Sequence, residues 1–145
     1  MSKVCAARRL WNHLMPPIIY GGLTVAYTWP TAAQLGTRLT GTGEDARHML
    51  WRLWQTWQAL QGQQPLFDAP LIYYPQGQSL LVNALGPTAG VFALPFWTFG
   101  PVAAYNLALL LMFALTGYSL YLLARELNFS RGSALFAGLI LLTAE

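Results

Sequence analysis

Residues 101–124 form a run of 24 residues without a single Asp, Glu, Lys or Arg. At about 1.5 Å of rise per residue this run makes a helix of about 36 Å, enough to cross a hydrocarbon core of roughly 30 Å. A helix on the surface of a soluble domain would instead show water a polar stripe. Pro101 stands at the head of the run, where a helix tolerates proline because the missing N–H has no partner there anyway. Composition agrees: 55% of the chain is hydrophobic and only 9% is charged, against about 25% charged in an ordinary soluble domain. The expected fold class is therefore an all-α integral membrane protein, a multi-pass helical bundle, because helices satisfy their own backbone in lipid.

Two further stretches read as crossings. Residues 14–35 carry no charge and follow Lys3, Arg8 and Arg9. A cleaved signal peptide is the alternative, but the stretch is long, Pro16-Pro17 interrupts it, and Thr31-Ala32-Ala33 makes a poor cleavage site. Residues 132–145 begin a third apolar helix after the polar turn Arg125-Glu126-Leu127-Asn128-Phe129-Ser130-Arg131. Its reach of about 20 Å falls short of a bilayer, so the expectation is an N-terminal piece of a longer protein.

Residues 80–100 are apolar but broken by Gly86-Pro87, Gly90 and Pro95. If they crossed fully, Arg125 and Arg131 would face the side opposite Lys3, Arg8 and Arg9. If they only dip into the membrane, all five cations share one side, as the positive-inside rule prefers. The re-entrant reading is adopted. It gives a cytoplasmic N-terminus, a long extracytoplasmic first loop over about 36–100, and location in the cell membrane. The net charge of +3 then belongs to segments facing anionic lipid. The chain carries no nucleic-acid motif, so nucleic acid is not an expected partner. The single Cys5 cannot form an internal disulfide and reads as a plain buried or interfacial thiol.

Within the outer loop, residues 44–61 have helical periodicity. Ala46, Met49, Leu50, Leu53, Trp54, Trp57 and Leu60 share one face. Arg47, His48, Arg52, Gln55 and Gln58 share the other. Such a helix either lies parallel to the membrane in the interface or packs on neighbouring protein; both place it beside the membrane. Gly62-Gln63-Gln64-Pro65 ends it, and a loop rich in aromatics and prolines follows, with Tyr73-Tyr74-Pro75-Gln76-Gly77 at its tip.

The head of that helix holds the most suggestive chemistry. Glu44 and Asp45 are adjacent acids, and His48 lies four and three residues on, so it can share a face with either. Such acids could accept a proton from a hydroxyl or, with His48, hold a divalent cation. Arg47 and Arg52 could face a phosphate. A purely structural reading stands beside this: Thr42 as cap with Asp45 three residues on is a variant of the capping box, and acids in a first turn favour the helix dipole. Tyr73, Tyr74 and Trp97 could stack on a sugar ring or sit in an interfacial belt. Asn106, Thr116 and Ser119 are expected to bond between helices, and Ala104 and Ala108 form a small-residue pair for helix packing. Asp68 reads as a solvated loop acid.

The order of these features resembles the N-terminal region of membrane-embedded glycosyltransferases of the C-type fold, which use polyprenyl-phosphate-linked sugars. Gly43-Glu44-Asp45-Ala46-Arg47 is similar to the Gly-Asp-Glu-Ala-Arg motif of the aminoarabinose-transferase branch, with the two acids exchanged. Tyr73-Tyr74-Pro75-Gln76-Gly77 is similar to a Tyr-Pro-x-Gly turn of bacterial members, and the approach from Phe99-Gly100 to Arg125-Glu126-Leu127 has the look of that superfamily. The Glu-Lys-Pro-Pro motif of the aminoarabinose branch is absent, and Pro75-Gln76-Gly77-Gln78 stands near its place. The resemblance implies transfer of a sugar from a polyprenyl-phosphate donor to an extracytoplasmic hydroxyl, with Asp45 or Glu44 as general base. It also implies Arg47, Arg52, His48, Tyr73 and Tyr74 around the substrate, and membrane lipid and the donor as partners. The alternatives from other classes are a transporter or flippase for lipid-linked material, and a non-catalytic membrane subunit that docks through the helix over 44–61.

Overall fold

The computed structural model describes residues 2–41, 43–81 and 87–143. It is 71% helical with almost no strand, so the all-α class holds. In order come α1 (Ser2–Tyr27), a 3₁₀ turn (Thr31–Gln34), α2 (Gly43–Leu60), the two-residue strands β1 (Asp68–Ala69) and β2 (Gln78–Ser79), α3 (Pro87–Ala93), a second 3₁₀ helix (Leu94–Phe99), α4 (Pro101–Glu126) and α5 (Arg131–Thr143). One helix among the described residues, α4, is long and apolar enough to cross a membrane, with a mean hydropathy of 2.0. The apolar parts of α1 (Leu14–Tyr27) and α5 are shorter. Residues 144 and 145 of the third expected crossing, and 82–86 of the broken block, lie outside the described residues.

The chain divides into two compact units, one of Met1–Ala32 with Leu109–Glu145 and one of Ala33–Ala108. In the first, α1, α4 and α5 pack around Tyr20, Tyr121, Ala124, Ala134 and Leu142. Tyr20 is fully buried and its hydroxyl donates to the Leu135 carbonyl at 3.0 Å. Two glycines make room for the ring. A Cβ on Gly117 would come within 2.9 Å of the ring's Cδ1, and one on Gly138 would run into the Tyr20 hydroxyl and the Gly117 carbonyl. Small residues at these positions let helices approach closely, the usual way apolar helices associate.

The stretch over 14–35, expected as one crossing, is not one helix. α1 stops at Tyr27, and Thr28–Pro30 form turns before the first 3₁₀ segment. Pro30 has no N–H to continue the ladder, and proline drives the residue before it out of helical backbone. The described part of the 80–100 block is likewise split, into a helix of 7 residues and a 3₁₀ helix of 6.

The turn between α4 and α5 closes both helix ends. Phe129 N–H reaches the Ala124 carbonyl and Asn128 N–H reaches that of Arg125, with Asn128 at φ 64°. This is a Schellman closure with asparagine in the left-handed position. Arg125 Nη1 donates to the Phe129 carbonyl at 2.6 Å, and Ser130 Oγ accepts from Ser133 N–H as the cap of α5. Thr116 and Ser119, expected to bond between helices, donate instead to Met112 and Leu115 one turn back in α4. The nearest acceptor for a helical hydroxyl is its own helix.

Gly138→Ala is expected to cost about 1–3 kcal/mol through overpacking, read as a lower melting temperature of the detergent-solubilised protein. Tyr20→Phe should cost about 1 kcal/mol for its lost hydrogen bond. The Thr24 hydroxyl is buried without a partner among the described residues, so Thr24→Val should melt at or above the parent temperature.

Candidate functional site

In the second unit, Asn106 lies on the first turns of α4 and is fully buried. Its Nδ2 donates to the carbonyls of Leu35 and Arg38, both at 2.7 Å, and its Oδ1 accepts the Thr40 N–H at 2.9 Å. Beside it, the Tyr105 hydroxyl donates to the Thr40 carbonyl at 3.1 Å. These four bonds fasten the irregular segment over 35–40, three residues short of α2. Asn106 thus binds loop backbone within its own unit, where an interhelical partner was expected. The expected cap Thr42 lies outside the described residues.

α2 opens with Glu44 and Asp45 in its first turn. Both are exposed, and neither carboxylate makes a hydrogen bond or ion pair among the described residues. Adjacent helical positions differ by about 100°, so the two side chains leave the helix in different directions. Arg47 and His48 are also exposed, and His48 lies 6.1 Å from the Trp51 ring. Arg52 is half-buried, its Nη1 3.9 Å from Met49 Sδ. Among the described residues no three His, Cys, Asp or Glu gather to hold a metal ion. Glu44, Asp45 and His48 therefore form no ligand set, and no divalent metal is assigned here.

The rest of α2 departs from a simple two-faced helix. Ala46 and Leu53 of the expected apolar face are buried, but Met49 and Leu60 are exposed. Gln55, expected on the polar face, is buried: its Nε2 donates to the carbonyls of Pro65 at 2.8 Å and Asp68 at 3.2 Å. Thr56 is buried where α3 presses on α2, and a Cβ on Gly90 would lie 2.6 Å from Thr56 Cβ. Trp97 stacks on Trp57 with ring centroids 5.3 Å apart, which gives Trp97 a packing role. The helix is packed on neighbouring protein along two of its sides. Its C-terminus closes on Gly62, at φ 72°, with Gln63 N–H to the Gln58 carbonyl and Gly62 N–H to that of Ala59.

After α2 the chain makes a small hairpin. Asp68 pairs with Ser79 and Ala69 with Gln78, antiparallel, and Leu80 N–H continues the ladder to the Phe67 carbonyl. Tyr73 and Tyr74 stand at its tip, 74% and 80% exposed, with Tyr73 in the left-handed region at φ 53°. They sit on a different element from the α2 acids. Asn106, Tyr105 and Gln55 are the residues whose site roles the sequence does not disclose. Only Asn106 carries a signal, a buried-type amide in a charge-free run.

Comparison with protein-family models, with curated proteins and with solved structures finds no match to this chain.

Replacing Asn106 by Leu leaves the Thr40 N–H and two carbonyls without their partner. The expected cost is about 2–4 kcal/mol: a buried orphan costs about 1–3, and these three bonds are only part-buried, so water recovers some of the loss. Hydrogen exchange at Thr40 should accelerate accordingly, and unchanged protection there would show that the clamp does not hold the loop.

Proposed function

We propose that this chain belongs to a multi-pass membrane protein of the cell envelope that transfers a sugar from a polyprenyl-phosphate donor to an extracytoplasmic hydroxyl. The reading takes α1, α4 and α5 as membrane helices, with the N-terminus cytoplasmic and residues 36–100 outside. The apolar side chains that α4 and α5 leave exposed, among them Leu122, Leu123, Phe136 and Ile140, support it. So does the resemblance of the Gly43-Glu44-Asp45-Ala46-Arg47 run described above.

One observation carries the catalytic part. Exposed carboxylates stand in the first turn of a helix whose approach is fastened by four side-chain-to-backbone bonds from α4. A general base must be held within hydrogen-bond reach of the proton it takes, and an anchored helix start holds it. In the proposed step, Asp45 accepts the proton of the acceptor hydroxyl. The hydroxyl oxygen forms the bond to the anomeric carbon as the bond from that carbon to the phosphate oxygen breaks. The electron pair leaves with the polyprenyl phosphate, and Arg47 or Arg52 stabilises the charge developing there. Glu44 is the alternative base, and His48, Tyr73 and Tyr74 are further substrate contacts. The docking-subunit reading has less to stand on, because Thr56 and Trp57 of α2 are already engaged within the unit.

With the complete protein in membrane vesicles and a panel of polyprenyl-phosphate hexoses, Asp45→Asn is expected to lower transfer by about 100-fold or more. Glu44→Gln should act less. Full transfer by a folded Asp45→Asn protein removes Asp45 from the mechanism.

A further inference from the structure

The hairpin borders a half-open cleft of about 240 Å³ lined by residues that include Pro65, Asp68, Pro70, Gln76, Gln78 and Ser79. We infer that this cleft is a binding subsite for a single pyranose ring, with Asp68 and the two glutamines as its hydrogen-bonding rim.

Three properties of the cleft lead there. The first is that it is preformed. Gln55 ties the carbonyls of Pro65 and Asp68 to α2, and the β1–β2 pairs close the loop. The floor is tight, since a Cβ on Gly77 would lie 3.3 Å from Pro70 Cα.

The second is that its chemistry is spare. The fold uses the carbonyl of Asp68 and, at 3.4 Å, the Ser79 hydroxyl as acceptor of the Leu81 N–H, while the Asp68 carboxylate is exposed and makes no hydrogen bond or ion pair among the described residues. A carboxylate accepts, an amide both donates and accepts, and a hydroxyl does either. That mixture suits neutral hydroxyls.

The third is what the lining lacks. It contains one carboxylate and no basic residue, which disfavours an anion and gives too few charged ligands for a cation. Pro65 and Pro70 add apolar wall, which suits the C–H face of a sugar ring. The volume lies below the roughly 300–1,000 Å³ of pockets for drug-sized ligands, so one ring fits the scale better than an oligosaccharide.

The cleft goes beyond the sugar-transfer reading: Gln55 indexes it to the half of α2 remote from Asp45, so it stands as a sugar site in its own right. The binding itself is measured without any transfer. The test is saturation-transfer NMR on the whole chain in detergent micelles. The probes are the methyl pyranosides of glucose, mannose and galactose, with ribitol as an acyclic control. Ring protons of at least one pyranoside should saturate and those of ribitol should not. The double variant Asp68→Asn, Gln76→Ala should weaken the signal by about fivefold or more, one to two hydrogen bonds' worth. Asp45→Asn should leave it unchanged even where it abolishes transfer. If the double variant melts below the parent, Ser79→Ala alone decides, with about a twofold loss expected and an undiminished signal counting against the subsite. Absence of saturation from all three pyranosides, equal saturation of ribitol, or an undiminished signal in a double variant that melts like the parent overturns the proposal. None of those results bears on Asp45.

Discussion

One amide group organises the second unit. Residues 35–40 lie between a 3₁₀ turn and α2, so their backbone has no ladder to join. Backbone N–H and C=O groups withdrawn from water need partners, and a connecting segment rarely supplies enough of its own. Asn106 supplies three bonds through both its donor and acceptor ends, and Tyr105 adds a fourth. Asparagine and glutamine carry two N–H donors and a carbonyl acceptor on one neutral head, and the shorter stem leaves less rotamer freedom to lose on burial. The cost of burying such a head in a charge-free run is offset only because its bonds are made. The clamp thus holds the segment that precedes α2, the helix whose first turn carries Glu44 and Asp45.

Gln55 repeats the device at the other half of α2, with one side-chain amide holding two loop carbonyls. The first unit is held differently. There α1, α4 and α5 meet through glycines and alanines around Tyr20, whose hydroxyl donates to the Leu135 carbonyl. The contrast has a physical origin. Regular helices satisfy their own backbone and need only close packing from one another. A unit made largely of short helices and loops must find partners for many backbone groups, and buried amides provide them.

This contrast also governs what the sequence discloses. Charge-free length and the Gly100-Pro101 boundary announce α4, and apolar spacing with Gly62 announces α2; the observed helices are Pro101–Glu126 and Gly43–Leu60. Both signals are local and periodic. Nothing local separates Gln55 from Gln58: both stand on the polar side of the same helix, and only the returning loop buries the first. Periodicity equally cannot say that Met49 stays exposed while Thr56 is covered, because the cover is α3, brought from thirty residues or more along the chain. The break at Thr28–Pro30 was legible in principle, since Pro30 is a breaker, but the lack of charge over 14–35 outweighed it. The α2 acids were legible as a pair, yet their divergence is a property of consecutive helical positions, and among the described residues they and His48 do not gather with a third ligand.

The spacing along α2 bears on how many carboxylates one reacting group could use. Asp45 and Gln55 are ten residues apart, a rise of about 15 Å in a helix. Gln55 holds the main chain of Asp68 at 3.2 Å, so Asp68 is indexed to that far half. A proton shared between two carboxylates requires oxygens within hydrogen-bond distance, around 3 Å. Asp68 therefore does not pair with Asp45 on one proton. Only Glu44 is near enough in sequence to serve with Asp45, and the helix turns it away. In the proposed transfer, acid–base work at the head of α2 would thus fall to one carboxylate at a time. Arg47 and His48, both exposed, are the next charged or titratable side chains along the helix.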